Sequence, residues 1–241
     1  MRHLRAARGL RRSVLATCCA IATLAAGCSR AADAERGAAE PAAAQAQPAA
    51  GSPAAPPRIV FLGDSLTAGL GVAPAQAYPA LIEQRLRAEG YPHEIVNAGV
   101  SGDTSAGGLR RLDWSLAGHV EVLVLALGGN DALRGLAPSD LEKNLGTIVE
   151  RARGRGVSVL VAGMEAPPNF GDNYTRQFRG VYTAIAKAYG VPLIPFLLAG
   201  VAGNPALNQP DGIHPNPEGH RIIADLVWRQ LGPMLASRHT Q

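Results

Sequence analysis

The stretch RIVFLGDSLT, residues 58–67, changes character abruptly at Gly63. After Arg58 its first half is an uninterrupted apolar run, which is typical of a buried strand in a parallel sheet. Asp64 and Ser65 come just past the carboxyl end of this strand, where open α/β sheets bind their ligands. The same two residue types also cap helices well. This stretch alone therefore leaves a catalytic and a purely structural interpretation open.

Apolar strands and amphipathic helices alternate from residue 58 to the end of the chain. The pattern predicts strands at 58–62, 94–96, 121–127, 157–161 and 191–195, and helices at 78–88, 104–116, 139–153, 173–189 and 217–235. Ser139 is expected to cap its helix, with Glu142 completing a capping box. A βαβα order predicts an α/β fold, with a five-stranded parallel sheet covered by helices on both faces.

The positive charge of the chain is concentrated at its start. Residues 1–27 contain five arginines and no acid, and the rest of the chain has 18 basic and 19 acidic residues. The remainder therefore gives no reason to expect a nucleic-acid partner. A basic segment followed by a short run of small apolar residues is typical of an export signal, which we assign to residues 1–27.

All three cysteines, Cys18, Cys19 and Cys28, lie in or beside that signal. This distribution excludes a disulfide framework, a cysteine nucleophile and a thiolate zinc site from the rest of the chain. The residues LAAG before Cys28 resemble a bacterial lipobox, although Leu24 is one position further from the cysteine than usual. We expect lipidation of Cys28, with simple cleaved secretion as the alternative. Ser29 then favours the outer membrane.

Residues 28–57 are rich in alanine and proline and have almost no large apolar side chains. Such a segment cannot bury a core, so we predict a disordered tether that leads into a domain at residues 58–241. No window of this domain is apolar enough to span a membrane. The residues after the first strand lack a glycine-rich phosphate fingerprint, so a dinucleotide site is not expected.

Side chains and a glycine suited to ester hydrolysis follow four of the predicted strands. They are Ser65, Gly102, Asn130, Asp211 and His214. Because loops after parallel strands emerge at one edge of the sheet, these residues can meet in a single crevice. A serine esterase needs a nucleophile, a base, a group that orients the base, and donors for the oxyanion. We assign these roles to Ser65, to His214, to Asp211, and to the N–H of Ser65 and Gly102 with the Asn130 amide.

The other histidines are less suitable as the base. His3 lies in the signal and His239 in the tail, and His93 and His119 precede strands at the opposite edge of the sheet. His220 is expected on the surface of the last helix, where histidines are usually solvated.

Four short blocks resemble those of the GDSL, or SGNH, hydrolases. They are GDSL at 63–66, Gly102, GND at 129–131 and the Asp211-x-x-His214 pair. The longer stretches NAGVSGDT at 97–104 and GGNDALRG at 128–135 resemble bacterial arylesterases and the thioesterase I/lysophospholipase L1 group. The resemblance implies a flavodoxin-like α/β/α sandwich and the same triad and oxyanion hole. An α/β-hydrolase is excluded, since the chain has no G-x-S-x-G.

The resemblance also indicates the substrate. The segment MEAPPNFG at 164–171 resembles the arylesterase form of the loop after the fourth strand. This loop and residues 131–136 are implied to line an acyl pocket, with Asp131, Leu133, Leu136, Pro167 and Pro168 as the substrate-binding residues. Short-chain or aryl esters are the expected substrates, with lysophospholipids or acyl thioesters as further candidates. We expect a monomer without cofactor or metal.

Two other functions are compatible with parts of the pattern. A metal-dependent phosphoesterase would use as ligands Asp64, Asn130, Asp131, Asp211 and His214. It would leave Ser65 and Gly102 unexplained. A non-catalytic envelope lipoprotein could use the same fold only to bind a ligand or partner, since fold does not fix function.

Overall fold

The computed structural model describes residues 55–239. The predicted export signal, Cys28 and the tether up to residue 54 lie outside the described residues. The strands are β1 (Arg58–Gly63), β2 (Glu94–Gly99), β3 (Val120–Ala126), β4 (Ser158–Ala162) and β5 (Leu193–Ile194). The helices are α1 (Ser65–Ala68), α2 (Tyr78–Ala88), α3 (Ser105–Arg110), α4 (Leu112–Ser115), α5 (Gly129–Leu133), α6 (Pro138–Arg153), α7 (Asp172–Tyr189) and α8 (Pro217–His239).

The five strands form one parallel sheet in the order β2-β1-β3-β4-β5. This confirms the parallel five-stranded sheet predicted from the sequence. Gly63 at the end of β1 is in register with Gly99 of β2 and with Ala126 of β3. These three strands therefore end at the same level, and the loops that follow them emerge side by side.

The central strands are buried on both faces. In β1, the side chains from Ile59 to Leu62 have 0% exposure. Helix α2 packs against α8, and α6 packs against both α3 and α7. The ring of Phe61 meets Tyr78 of α2 edge-on, with ring centroids 5.6 Å apart. The result is the three-layer α/β/α arrangement that a continuous run of apolar strand residues requires.

The helix predicted over residues 104–116 is instead two short helices, α3 and α4. Arg111 separates them with φ −101° and ψ 6°. Gly107 and Gly108 weaken the helix locally, but close packing requires a glycine at 108. A Cβ there would lie 2.2 Å from a methyl carbon of Leu127. The prediction of one continuous helix was wrong because tertiary contacts decide this segment.

Two prolines shorten the last strand, which was predicted over residues 191–195. Pro192 and Pro195 flank β5, and neither has the N–H that would extend the hydrogen-bond ladder. The capping box at Ser139 is also absent. Helix α6 begins at Pro138, after Ala137, which caps it without a side-chain hydrogen bond. The fixed φ and missing N–H of proline suit this first helical position.

Candidate active site

Ser65 is the first residue of α1 and follows β1 after a very tight turn. A Cβ on Gly63 would lie 1.9 Å from Thr67 Oγ1, so only glycine fits at the end of this strand. Asp64 caps the helix, since its Oδ1 accepts a hydrogen bond from the Leu66 N–H at 3.1 Å. Asp64 thus has the helix-capping role considered above. By capping α1 it places Ser65 at the sheet edge.

His214 lies next to Ser65 although 149 residues separate them. Its Nε2 is 2.9 Å from Ser65 Oγ, and its Nδ1 is 2.7 Å from Asp211 Oδ2. The other carboxylate oxygen of Asp211 accepts hydrogen bonds from the N–H groups of Ile213 and His214. These backbone bonds, led by that of His214, and the bond to its ring lower the pKa of Asp211 to about 2. The carboxylate therefore stays charged beside the imidazole at neutral pH.

Gly102 and Asn130 lie on two loops beside the serine. Gly102 has φ +83° in a turn closed by the Asp103 N–H donating to the Val100 carbonyl at 3.0 Å. A residue with a side chain would be strained at this φ. The Asn130 Nδ2 donates to the Asp103 carbonyl at 3.0 Å and, at 3.4 Å, to Asp64 Oδ2.

These groups line one cavity of about 700 Å³. Ser65, Gly102, Asn130 and His214 all belong to its wall, so the structure brings the predicted nucleophile, base and donors to a single site. The volume is within the range of about 300–1,000 Å³ typical of small-molecule sites. The rest of the wall is mostly apolar and includes Leu66, Leu70, Leu133, Met164, Pro167, Pro168, Phe196, Leu198 and Ile213.

Two of the five predicted substrate-binding residues lie elsewhere. Asp131 is only 2% exposed, and its two oxygens accept hydrogen bonds from the backbone N–H and the hydroxyl of Ser105. Because consecutive helical residues point about 100° apart, Asp131 faces away from the cavity that Asn130 lines. Leu136 lies past the end of α5 and is not part of the cavity wall. The expectation that these two residues contact substrate is corrected.

His220 is buried, contrary to the expectation of a surface residue. Its exposure is 1%, its Nδ1 accepts the Tyr78 N–H at 3.3 Å, and its ring stacks on that of Tyr78. Burial, helped by the nearby charge of His214, lowers the pKa of His220 to about 4. The first turn of α8 packs against α2, and this packing makes His220 a neutral structural residue.

Some residues of the cavity were not anticipated from the sequence. Phe196 and Leu198 follow strand β5, and their position after a strand was a usable signal, whereas Met164 belongs to the loop at 164–171 that the resemblance implied as pocket lining. Nothing in the sequence indicated that the carboxylate of Asp64 would be buried. Burial raises the pKa of Asp64 to about 6, and the opposing hydrogen bond from Leu66 and the charge of His214 only partly offset this effect.

The raised pKa of Asp64 predicts a stability change with pH that Asp64→Asn should remove. Folding raises this pKa from 3.8 to about 6, so between these values the folded state binds more protons and its free energy of unfolding falls as pH rises. Asparagine also caps helices and does not titrate. The stability of Asp64→Asn relative to wild type should therefore rise by about 2 kcal/mol from about pH 4 to about pH 7.

Urea unfolding of both proteins across this pH interval measures the difference. The titration of His220 has the opposite sign, but it is common to both proteins and cancels. Asp225→Asn removes an exposed carboxylate paired with Arg85 and is the matched control. A difference between Asp64→Asn and wild type that is independent of pH would contradict the assignment.

The geometry does not match the ligand set of a metal-dependent phosphoesterase. Asp131 points into α3, and Asp211 lies behind His214 as seen from Ser65. Within residues 55–239, no group of three or more His, Cys, Asp or Glu side chains is placed to hold a metal ion.

Comparisons with known proteins agree with the resemblance in the sequence blocks. The model of the GDSL-like Lipase/Acylhydrolase family matches residues 61–222. Esterase TesA of Pseudomonas aeruginosa is 44% identical over 183 residues, covering 76% of this chain and 91% of the relative. Thioesterase 1/protease 1/lysophospholipase L1 of Escherichia coli K12 is 38% identical over 183 residues, covering 76% of this chain and 86% of the relative.

A solved structure agrees with the fold as well. The crystal structure of AlinE4, an SGNH-hydrolase family esterase, has a TM-score of 0.62 and 40% sequence identity, covering 76% of this chain and 99% of that one. This similarity confirms the SGNH fold expected from the resemblance. Together with the match over residues 61–222, it means that the chain belongs to the GDSL-like lipase/acylhydrolase family and is a carboxylic ester hydrolase.

Proposed function

We propose that the chain hydrolyses short-chain or aryl carboxylic esters through an acyl-enzyme formed on Ser65. One observation carries the proposal. Asp211, His214 and Ser65 form a continuous hydrogen-bonded chain, with distances of 2.7 and 2.9 Å, that ends at the wall of an apolar cavity. This is the arrangement by which a serine hydroxyl becomes a nucleophile at neutral pH.

In the first half-reaction, Ser65 Oγ attacks the ester carbonyl while His214 Nε2 takes its proton. The charged Asp211 keeps the other imidazole proton on Nδ1, so that Nε2 has a free lone pair, and it stabilises the imidazolium that forms. His214 then gives the proton to the leaving alcohol. In the second half-reaction the same imidazole takes a proton from a water molecule, which attacks the acyl group, and His214 then returns that proton to Ser65 Oγ as the acid leaves.

The developing oxyanion would be held by the N–H groups of Ser65 and Gly102 and by the Asn130 amide. The Asn130 Nδ2 carries two hydrogens, and its 3.0 Å bond to the Asp103 carbonyl holds the amide in place. The second contact, to Asp64, is long at 3.4 Å, so it is the one that an oxyanion would replace.

The cavity supports the substrate class. Leu133, Pro167 and Pro168 line it with other apolar side chains, and Glu165 is the one acidic residue on its wall besides Asp64. Such a wall fits an uncharged acyl or aryl group. The names of the relatives add thioesters and lysophospholipids as further substrates.

A rate panel tests this proposal. It compares phenyl acetate, p-nitrophenyl esters of increasing acyl length, an acyl-CoA and a lysophospholipid at matched concentration. We expect the highest kcat/KM for the aryl and short-chain esters, because the cavity wall is mostly apolar and fits an uncharged acyl or aryl group. Rates should be unchanged after treatment with a chelator. Rates that increase steadily with acyl length would contradict the short-chain assignment. Loss of activity with the chelator would favour the phosphoesterase alternative.

We further propose that the enzyme is exported, that Cys28 is lipidated, and that residues 28–57 tether a monomeric catalytic domain to the outer membrane. The basic, then apolar start of the chain and the lipobox-like residues before Cys28 support this. Within residues 55–239, no helix is long and apolar enough to cross a membrane. Incorporation of a labelled fatty acid that is lost in Cys28→Ser would support the anchor, and its absence from both proteins would contradict it.

A further inference from the structure

Arg111, between α3 and α4, directs its side chain toward the sheet edge that carries the active site. The side chain is only 17% exposed. Its Nε donates to Asp103 Oδ2 at 2.6 Å, its Nη1 to the Ala98 carbonyl at 2.6 Å, and its Nη2 to the Gly63 carbonyl at 2.8 Å. Every nitrogen of the guanidinium is therefore used.

The three acceptors belong to the segments that present the catalytic groups. Gly63 ends β1, two residues before the nucleophile, and Ala98 lies at the end of β2. Asp103 directly follows Gly102, and its carbonyl holds the Asn130 amide at 3.0 Å. One side chain thus joins the strand end before Ser65 to the turn that carries Gly102 and, through the Asp103 carbonyl, holds the Asn130 amide of α5.

We propose that Arg111 is a positioning residue that holds the Gly102 N–H and the Asn130 amide at a fixed distance from Ser65 Oγ. This inference rests on the proposed acyl-enzyme mechanism and adds a residue that lies outside the cavity wall. Oxyanion donors act only when they lie at hydrogen-bond distance from the oxygen that becomes charged. A small displacement of the turn therefore weakens binding of the transition state more than binding of the substrate.

The chemistry of arginine explains how one side chain can bind all three acceptors. A planar guanidinium with donors in fixed directions can bind a carboxylate and two carbonyls at once, whereas the ammonium of lysine is a single compact point charge. Arg111 and Asp103 form a mostly buried ion pair, so neither charge is left without a partner. The test variant is therefore Arg111→Lys, which keeps the charge and loses the geometry.

In full-length Arg111→Lys, we expect kcat for a short-chain ester to fall by about 10- to 100-fold, with KM changed by less than about threefold. The matched control is Arg85→Lys. Arg85 also makes several contacts, to Glu89, Asp225 and the ring of Trp228, but these lie at the surface between α2 and α8. This control should keep wild-type kcat.

A double-mutant cycle with Asn130→Ala separates positioning from a general loss of stability. Asn130→Ala alone should lower kcat by about 10²- to 10³-fold. If Arg111 acts through the oxyanion donors, Arg111→Lys should cost much less in the Asn130→Ala background than in wild type. Equal costs in both backgrounds, or a wild-type kcat in Arg111→Lys, would overturn the inference.

Asp103→Asn provides the second variant if Arg111→Lys does not fold. This variant removes the ion pair with Arg111 and leaves the backbone carbonyl that holds Asn130. We therefore expect kcat to fall by about 3- to 10-fold with KM maintained. An unchanged kcat would again overturn the inference. Labelling by an organophosphonate distinguishes the two proposals. If wild type is not labelled at Ser65, the acyl-enzyme mechanism fails. If it is labelled and the Arg111 and Asp103 variants keep their kcat, only the positioning role fails.

Discussion

Ser65→Ala should lower kcat/KM for phenyl acetate by about 10⁴- to 10⁶-fold while the protein remains folded. Alanine removes the oxygen that forms the acyl-enzyme. It also removes the hydroxyl that lies 2.9 Å from His214 Nε2, so the imidazole has no serine proton to accept. The residual rate would come from the oxyanion donors and from substrate binding. Because the lost hydrogen bond contributes only about 1 kcal/mol to stability, the unfolding midpoint should change little.

Rates of phenyl acetate hydrolysis by purified wild type and Ser65→Ala measure this loss, and urea unfolding shows whether the variant remains folded. Ser139→Ala, an exposed serine at the start of α6, is the control and should keep full activity. An organophosphonate should label wild type with one equivalent and leave Ser65→Ala unlabelled. Substantial activity in Ser65→Ala would rule out Ser65 as the nucleophile. If wild type showed neither labelling nor ester hydrolysis, the non-catalytic lipoprotein would be favoured.

Asp211→Asn should lower kcat by about 10²- to 10⁴-fold without unfolding the loop. The asparagine oxygen can still accept the N–H groups of Ile213 and His214, so the turn should persist. Its amide group then donates to His214 Nδ1, and this places the imidazole proton on Nε2. In that tautomer the ring cannot accept the proton of Ser65.

The size of this effect depends on the exposure of Asp211. Its side chain is 45% exposed, so water competes for Nδ1 and can restore part of the productive tautomer. For that reason we place the expected loss below that of Ser65→Ala. Asp211→Ala is the informative comparison, because it leaves Nδ1 to water and removes the acceptor of both backbone N–H groups. It should be more active than Asp211→Asn if the tautomer dominates, and less active if the turn dominates.

An equal kcat in Asp211→Asn and wild type would show that the carboxylate does not orient the base. The pH dependence gives an independent measurement. The hydrogen bonds to Asp211 hold its pKa at about 2, so no loss of activity between about pH 4 and pH 8 should come from its protonation.

The sequence was most informative where local patterns determine structure. Helix α2 lies at residues 78–88 as predicted, β1 extends one residue further than predicted, and β3 is shifted by one residue at both ends. Buried strands and amphipathic helices have hydrophobic periods that depend on few neighbours in the chain. The order of these elements was then sufficient to predict the parallel sheet.

Errors occurred where distant residues compete with local preference. At the break between α3 and α4, the Arg111 side chain donates to carbonyls of β1 and β2, and the buried His220 contacts Tyr78, 142 residues away. Asp131 is a residue type common in active sites and lies within a family motif, but its hydrogen-bond partner is Ser105 in a different helix. No pattern within these segments indicates such contacts.

By itself the sequence determined the class of fold, the order of its elements and the family, because hydrophobic periodicity and short motifs are properties of neighbouring residues. Only the tertiary structure decided which groups meet. The level ends of β1, β2 and β3 bring Ser65, Gly102 and Asn130 to one cavity, and the chain returns after 149 residues to place His214 2.9 Å from Ser65. The pKa of Asp64 and the contacts of Arg111 were also decided there, because burial and hydrogen-bond distance depend on residues far apart in the chain.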